Sequence, residues 1–339
     1  MKRSSAVGLL VLLAFAVALT VASTGFAQES ITLRYTNFFP PGHKNSVVCE
    51  EWCKEVEKRT DGKVKIRYFP GGTLTSAPQT YDSILSGVVD LGNHVLAYTW
   101  GKFPLTEVLD YPLGYWSGDV STKLMNAYYE KFKPKDLSDV QVMYLHCQGP
   151  GIVHSRTPVA KMEDLKGMKL RVGNNPAFLT NLGGVPVAMP MGEAYDAISK
   201  GVVDGIMCPY EALQGWKLGE VVKSTTENYG SAYGAVFLVG MNKDKWNRIP
   251  PESRKIIEQI NQEWIEKQGK VWEAIDEEGK TFVVQRGNKI IKLSAEENAR
   301  WAAKADPLFD EYLKKTKEKN LPGEEVLKFA RDYLKAHRK

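Results

Sequence analysis

Residues 163–209, here called the deciding stretch, read EDLKGMKLRVGNNPAFLTNLGGVPVAMPMGEAYDAISKGVVDGIMCP. Three short apolar runs, 168–172, 185–187 and 202–205, have the length and composition of strands. A short helix is expected after the first run and a helix over 192–200 after the second. Because strands that alternate with helices build parallel sheets, the stretch predicts an α/β fold. Ligands of such sheets bind beyond the carboxyl ends of the strands.

Arg171 is the residue of this stretch with the clearest binding chemistry. Alternation along the first strand puts Leu170 and Val172 on one face and Arg171 on the other. A guanidinium in so apolar a setting requires an anion or a network of acceptors, and its planar fork matches a carboxylate or sulfonate in two parallel hydrogen bonds. We therefore predict that Arg171 binds an anionic ligand, with an internal ion pair to Glu193 as the structural alternative. Cys208, near the end of the third strand, is expected to face the same crevice.

Three blocks of the stretch occur in combination: Asp164-Leu165-Lys166-Gly167 before Lys169-Leu170-Arg171-Val172, Met189 with Glu193 and Tyr195, and Val203-Asp204-Gly205 with Pro209. Together they resemble the solute-receptor subunit of tripartite ATP-independent periplasmic (TRAP) transporters, the C4-dicarboxylate and sialic-acid receptor type. The resemblance extends from the first predicted strand, at Ile31, to the last helix.

This resemblance implies an α/β, two-domain periplasmic binding protein fold with a hinge, a central cleft and a long bridging helix. Domain I is expected over 28–147 plus 236–250, and domain II over 148–235 plus 280–339. Helical spacing of apolar residues after a proline pair also predicts a long helix over 251–285. In the family, such a helix lies across both domains.

The resemblance also implies a function. It indicates a periplasmic receptor, not an enzyme, that captures a small organic anion and delivers it to TRAP membrane permease subunits. The implied mechanism is closure of the two domains over the ligand. Two alternatives remain open: a ligand-sensing binding protein, and a periplasmic enzyme acting on a small organic acid, for which His146-Cys147 would supply a thiol nucleophile.

Positions that match the family's site supply further ligand-binding candidates. The candidate walls are Phe38, Tyr98, Met191, Tyr210 and Tyr233, of which Tyr210 is added for its closeness to Cys208. Cys208 replaces an asparagine of the family, and Gln148 opens a segment where the sialic-acid type has a second arginine. One arginine, one thiol and several aromatic rings favour a small monoanion, a carboxylate or short sulfonate, over a dicarboxylate or sugar acid. For each wall residue, ordinary packing is the alternative.

The N-terminus has the pattern of a signal peptide over residues 1–27. Lys2 and Arg3 precede an apolar core at 6–21, and small residues lead to a cleavage site after Ala27. The mature chain is therefore expected in the periplasm. An uncleaved membrane anchor is the alternative.

Composition and charge set further bounds. The chain is 43% hydrophobic and 25% charged, as in globular proteins, and a net charge of +5 is too weakly basic to indicate a nucleic-acid partner. Cys49 and Cys53 lie four apart on a predicted helix, a poor geometry for a disulfide, so buried thiols are expected. The absence of C-x-x-C and H-E-x-x-H patterns gives no indication of a metal or cofactor. A monomer is expected.

Overall fold

The computed structural model of the chain describes residues 30–173 and 176–338, so the predicted signal peptide lies outside the described residues. The strands in chain order are β1 (Ile31–Thr36), β2 (Val64–Phe69), β3 (Leu91–Val95), β4 (Gln141–Cys147), β5 (Ile152–Ser155), β6 (Lys169–Val172), β7 (Val185–Ala188), β8 (Gly205–Cys208), β9 (Ser224–Glu227), β10 (Val236–Met241) and β11 (Lys289–Lys292). The α-helices are α1 (Lys44–Arg59), α2 (Thr80–Leu85), α3 (Gly118–Phe132), α4 (Pro176–Asn181), α5 (Ala194–Ser199), α6 (Glu211–Gly215), α7 (Lys243–Arg248), α8 (Pro251–Gln285), α9 (Ala295–Ala303), α10 (Asp306–Glu318) and α11 (Gly323–Ala336).

The first sheet has the strand order β2-β1-β3-β10-β4, and the part of the molecule built on it is called lobe I. β1 runs parallel to β2 and β3, as is typical of strands that alternate with helices along the chain. β10 is antiparallel to both β3 and β4. The chain leaves this sheet after β4 and returns to it at β10, so these two strands connect the lobes.

The second sheet has the order β11-β9-β5-β8-β6-β7 and defines lobe II. β6 runs parallel to β7 and β8, with Arg171 opposite Val187 on one side and Ile206 on the other. This confirms the parallel arrangement expected from the deciding stretch. β5 is antiparallel to β8 and β9. Both sheets are therefore mixed, and the antiparallel strands are those that follow a crossing between lobes.

Two strands begin later than the sequence predicts, for one physical reason. The chain repeats Gly-Val-Val-Asp at 87–90 and 201–204, and the valine pairs favour strands at 88–91 and 202–205. In the structure, Asp90 accepts the backbone N–H of Arg34 at 2.7 Å, and Asp204 accepts that of Lys169 at 2.8 Å. Each aspartate thereby ends a turn whose first valine is exposed, and β3 and β8 start only after it.

The long helix α8 braces the two lobes. Its N-terminal and central turns contact lobe I, where Trp264 Nε1 donates to Val48 O at 2.9 Å and Trp272 Nε1 to His146 Nδ1 at 2.9 Å. Its last turns contact lobe II, where Lys280 Nζ donates to a Glu227 carboxylate oxygen at 2.7 Å. One rigid element thus fixes the two sheets on either side of a cleft.

Helices α10 and α11 pack against lobe I although the expected domain II range, 280–339, includes them. Tyr312 of α10 donates a hydrogen bond to Leu105 O at 3.0 Å. Phe329 of α11 meets Phe132 of α3 edge-on, with ring centroids 5.6 Å apart. After β11 and α9 the chain crosses back, because apolar residues of α10 and α11 are buried in the same core as those of α3.

The four cysteines lie in the interior of the molecule. Cys49, Cys53, Cys147 and Cys208 are all buried free thiols, as expected for small apolar residues. None of the helices in the described part of the chain combines the length and apolarity needed to cross a membrane.

Candidate functional site

A cavity lies between the two lobes, at the edge where several strands end. Its wall includes the ends of β3 and β6, the beginning of β10, Met207 of β8 and Trp272 of α8. β6 and β8 are parallel neighbours, so their carboxyl ends meet at this edge. The cavity therefore occupies the position at which parallel sheets bind ligands.

Arg171 lies in this cavity wall and is 97% buried, with a relative exposure of 3%. Its Nε–H donates to Met189 O at 2.9 Å, which fixes the plane of the guanidinium. Nη2 lies 3.4 Å from the Tyr98 hydroxyl, across the cleft in lobe I. No acid of the described residues forms an ion pair with it, so the alternative of a pair with Glu193 is not realised. Arg171 is also the only cation among the described lining residues.

Aromatic side chains are the largest group among the other described lining residues: Phe38, Phe39, Tyr98, Trp100, Phe178, Trp216, Tyr233, Phe237 and Trp272. Phe38 is nearly parallel to Phe237, at 9° and 6.3 Å between centroids, and to Trp216, at 19° and 6.2 Å. Offset parallel rings form flat apolar surfaces. The cavity thus offers planar walls and one buried positive charge.

Two further polar contacts join the lobes at the cavity. The Tyr98 hydroxyl of lobe I accepts the backbone N–H of Met191 of lobe II at 3.1 Å. His43, just before α1, hydrogen-bonds through Nε2 to Glu211 of α6 at 2.5 Å. Both His43 and Glu211 are buried. The cavity is therefore bounded by side chains that belong to different lobes and touch each other directly.

Most of the residues predicted from sequence are brought together here. The lining includes Phe38, Tyr98, Gln148, Arg171, Met191 and Tyr233. Tyr233 donates its hydroxyl hydrogen to Met207 O at 2.9 Å, and burial raises the pKa of this phenol. Gln148 lies beside that hydroxyl, and its interaction with the phenol works to lower the pKa. Among the described residues, the Gln148 Nε2 atom has no hydrogen-bond partner of normal geometry.

Cys208 and Tyr210 are not among the lining residues, so the cavity does not support their assignment. Alternation along β8 turns Cys208 to the same face as Ile206, into the core of lobe II, and turns Met207 to the cavity. Tyr210 points toward α8 and donates its hydroxyl hydrogen to Glu227 at 3.0 Å. The expectation failed because closeness to a strand end does not specify a face.

Several lining residues were missed by sequence reasoning. They include Asp110, Glu211, Trp216, Phe237 and Trp272. Trp272 lies on the apolar stripe that predicts α8, and Asp110 is an acid inside the apolar run Val-Leu-Asp-Tyr-Pro-Leu at 108–113; both signals were available. Trp216 and Phe237 reach the cavity only through the packing of the two lobes.

The pair His146-Cys147 lacks the properties of a nucleophile and base. Burial raises the pKa of the Cys147 thiol and lowers that of His146 to about 3. His146 Nδ1 accepts the Trp272 indole N–H, and neither His146 nor Cys147 lines the cavity. In the described residues no group of three or more histidine, cysteine, aspartate or glutamate side chains is placed to hold a metal ion.

Comparison with known proteins identifies the class of this fold and site. Residues 38–316 match the family model described as bacterial extracellular solute-binding protein, family 7 (DctP). A TRAP periplasmic solute-binding protein from Desulfovibrio salexigens is 30% identical, with a TM-score of 0.81 over 91% of this chain and 97% of that one.

Two further solved structures are similar over 91% of this chain. A TRAP solute-binding protein from Rhodoferax ferrireducens, in complex with copurified benzoate, is 28% identical over 98% of its length, with a TM-score of 0.84. A marine metagenome TRAP solute-binding protein specific for aromatic acid ligands, in complex with metahydroxyphenylacetate, is 29% identical over its full length, with a TM-score of 0.86.

The two sheets, the bracing helix and the cavity between lobes define a two-lobed solute-binding protein. The chain belongs to the bacterial extracellular solute-binding protein family 7. This confirms the resemblance to TRAP receptors drawn from the deciding stretch. The protein is a periplasmic receptor that binds a small organic acid and works with TRAP permease subunits; its family and structural neighbours are receptors, not enzymes.

Proposed function

We propose that this receptor binds a small aromatic monocarboxylate in the cavity between its lobes and delivers it to the permease. Arg171 holds the carboxylate, and the rings around it receive the apolar body of the ligand. The observation that carries this proposal is the pairing of one buried arginine with a wall of aromatic side chains. Two of the similar receptors bind aromatic acids, benzoate in one and metahydroxyphenylacetate in the other.

The charges of the cavity favour a monoanion. The lining residues include Arg171 together with two acids, Asp110 and Glu211. A second ligand carboxylate would face no second cation in the described lining and would be buried unpaired, which is unfavourable. A sugar acid would in addition leave several hydroxyl groups against aromatic rings without hydrogen-bond partners.

Each predicted residue receives a role in this proposal. Phe38 and Tyr233 serve as walls, and Tyr98 and Met191 close the cleft over the Arg171 guanidinium through their mutual contact. Gln148 faces the ligand beside Tyr233. Cys208 and Tyr210 are given a supporting role behind the wall: Cys208 O accepts a hydrogen bond from His154 Nε2 at 3.1 Å.

The remaining expectations concern the mature chain. We propose that it begins at Gln28, after cleavage behind Ala27, and acts as a monomer. We also propose that the domains follow the boundaries 28–147 plus 236–250 and 148–235 plus 280–305, with the helices after 305 assigned to domain I. Mass spectrometry of exported protein tests the first point, since a purified chain that retains Met1 would overturn it. Light scattering tests the monomeric state, and a stable dimer would contradict it.

A thermal-shift screen tests the ligand class. Ligands that bind only the folded state raise the melting temperature in proportion to the logarithm of concentration over Kd, so equal concentrations rank affinities. The panel contains benzoate, phenylacetate, succinate, glucuronate and isethionate. We expect the two aromatic acids to give the largest shifts. A larger shift with succinate, glucuronate or isethionate than with either aromatic acid would contradict the proposal.

A further inference from the structure

Asp110 is an acid in the cavity wall. It has no role in the binding of a carboxylate by Arg171. It ends the 3-10 turn Glu107–Asp110 and is only 6% exposed. An ionised carboxylate there would repel the anionic ligand proposed above. Its presence in the lining therefore requires a different explanation.

The hydrogen bonding of Asp110 is asymmetric. Oδ1 accepts the backbone N–H of Val236, at the start of β10, at 2.6 Å. Oδ2 is buried and has no hydrogen-bond partner in the described part of the chain. Burial raises the pKa of this carboxyl to about 8, so it is mostly protonated at neutral pH. Since Oδ1 acts as an acceptor, the proton is carried by Oδ2, which then requires an acceptor of its own.

The neighbouring hydroxyl groups are not hydrogen-bonded to Oδ2. Tyr115 donates its hydroxyl hydrogen to Leu109 O at 2.7 Å, and Tyr233 donates to Met207 O at 2.9 Å. Both phenols are within electrostatic range of Asp110, since the carboxyl contributes to raising their pKa. Each hydroxyl oxygen keeps lone pairs that could accept, but neither is a hydrogen-bond partner of Oδ2. This leaves a buried donor on a residue of the cavity wall.

We propose that Asp110 donates a hydrogen bond from Oδ2 to a neutral oxygen substituent of the bound aromatic acid, so that the receptor selects hydroxylated over unsubstituted ligands. This inference rests on the proposed function. Arg171 then recognises the charge common to all aromatic acids, and Asp110 recognises the substituent. In the complex with an unsubstituted acid, the buried donor stays unpaired, which destabilises that complex. The difference in affinity between hydroxylated and unsubstituted acids is therefore larger than the contribution of one hydrogen bond alone.

The test compares matched ligands by calorimetric titration. The wild-type protein is titrated with benzoate and with the 2-, 3- and 4-hydroxybenzoates, each paired with the methylbenzoate of the same substitution. A methyl group has nearly the size of a hydroxyl but accepts no hydrogen bond. We expect the hydroxyl compound to bind at least about tenfold more tightly than its methyl partner at one ring position. Equal binding within every pair would overturn the inference.

Two variants locate the effect at Asp110. Asp110→Asn keeps an oxygen for the Val236 N–H and places an amide donor in the cavity, so the hydroxyl preference should persist. Asp110→Leu removes the donor, and the preference should fall to about one while benzoate still binds. A preference that survives in Asp110→Leu would overturn the inference. Glu107→Gln is the control: Glu107 is a buried acid of the same turn outside the lining, and its replacement should leave the preference unchanged.

The outcomes separate this inference from the proposed function. If the wild-type protein binds no benzoate or substituted benzoate, the aromatic-acid proposal itself fails. If it binds benzoate and discriminates no substituent, only the role of Asp110 fails. The wild-type ligand series decides this even if Asp110→Leu does not fold, because it requires no variant.

Discussion

Replacing Arg171 by lysine is expected to weaken benzoate binding about tenfold to a hundredfold. Lysine keeps the positive charge but presents a compact ammonium in place of a planar fork. In the structure Nε already donates to Met189 O, so the two Nη atoms are the groups that face a ligand carboxylate. Loss of one charge-assisted hydrogen bond costs about 1.5–3 kcal/mol, which corresponds to that range of affinity.

Arg171→Ala should weaken binding further, since the ligand anion would then be buried without a cation in the described lining. Calorimetric titration with benzoate measures both effects, and thermal melting checks that each variant is folded. Arg156→Lys is the matched control, because Arg156 is an exposed arginine of lobe II outside the cavity. An Arg171→Ala protein that melts normally and binds benzoate as tightly as wild type would refute this reasoning.

Three further predictions concern the wall, the closure and the brace. Phe38→Ala and Tyr233→Ala should each weaken benzoate binding about tenfold with unchanged circular dichroism, because each removes a ring from the cavity. Unchanged affinity in both variants would show that these rings only pack against the protein and do not contact the ligand. Benzoate at saturation should reduce the radius of gyration in small-angle scattering, and an identical radius would indicate a preformed rigid pocket. Gly279→Ala should destabilise the fold by about 1–3 kcal/mol in urea unfolding, since an added Cβ would lie 2.1 Å from Tyr210 O; unaltered stability would show that α8 and lobe II are not tightly packed there.

The parts of the fold that depend on local sequence could be predicted. Apolar spacing over 251–285 predicts a helix, and α8 spans Pro251–Gln285. The alternation of strands and helices in the deciding stretch correctly predicts the parallel trio β7-β6-β8. Strand starts were misplaced by the two Gly-Val-Val-Asp turns, because valine has high strand propensity while the aspartate that ends each turn bonds to a strand distant in sequence.

The residues of the candidate site could be predicted where the alternation of side chains along a strand determines which face each one occupies. Arg171 was found because its strand alternates cleanly and the family's blocks surround it. The same rule, applied to β8, would have selected Met207 and rejected Cys208. Trp216 and Phe237 could not be found, since only the approach of two lobes brings them to one cavity.

The most direct test of the central claim is a calorimetric titration of the dialysed mature protein with benzoate and with benzamide. The two ligands have the same ring and nearly the same shape, but only benzoate carries a charge for Arg171. We expect one benzoate to bind per chain and benzamide to bind at least about a hundredfold more weakly, because the buried guanidinium would lose its anion. Equal binding of benzoate and benzamide, or no binding of benzoate, would contradict an arginine-anchored receptor for aromatic acids.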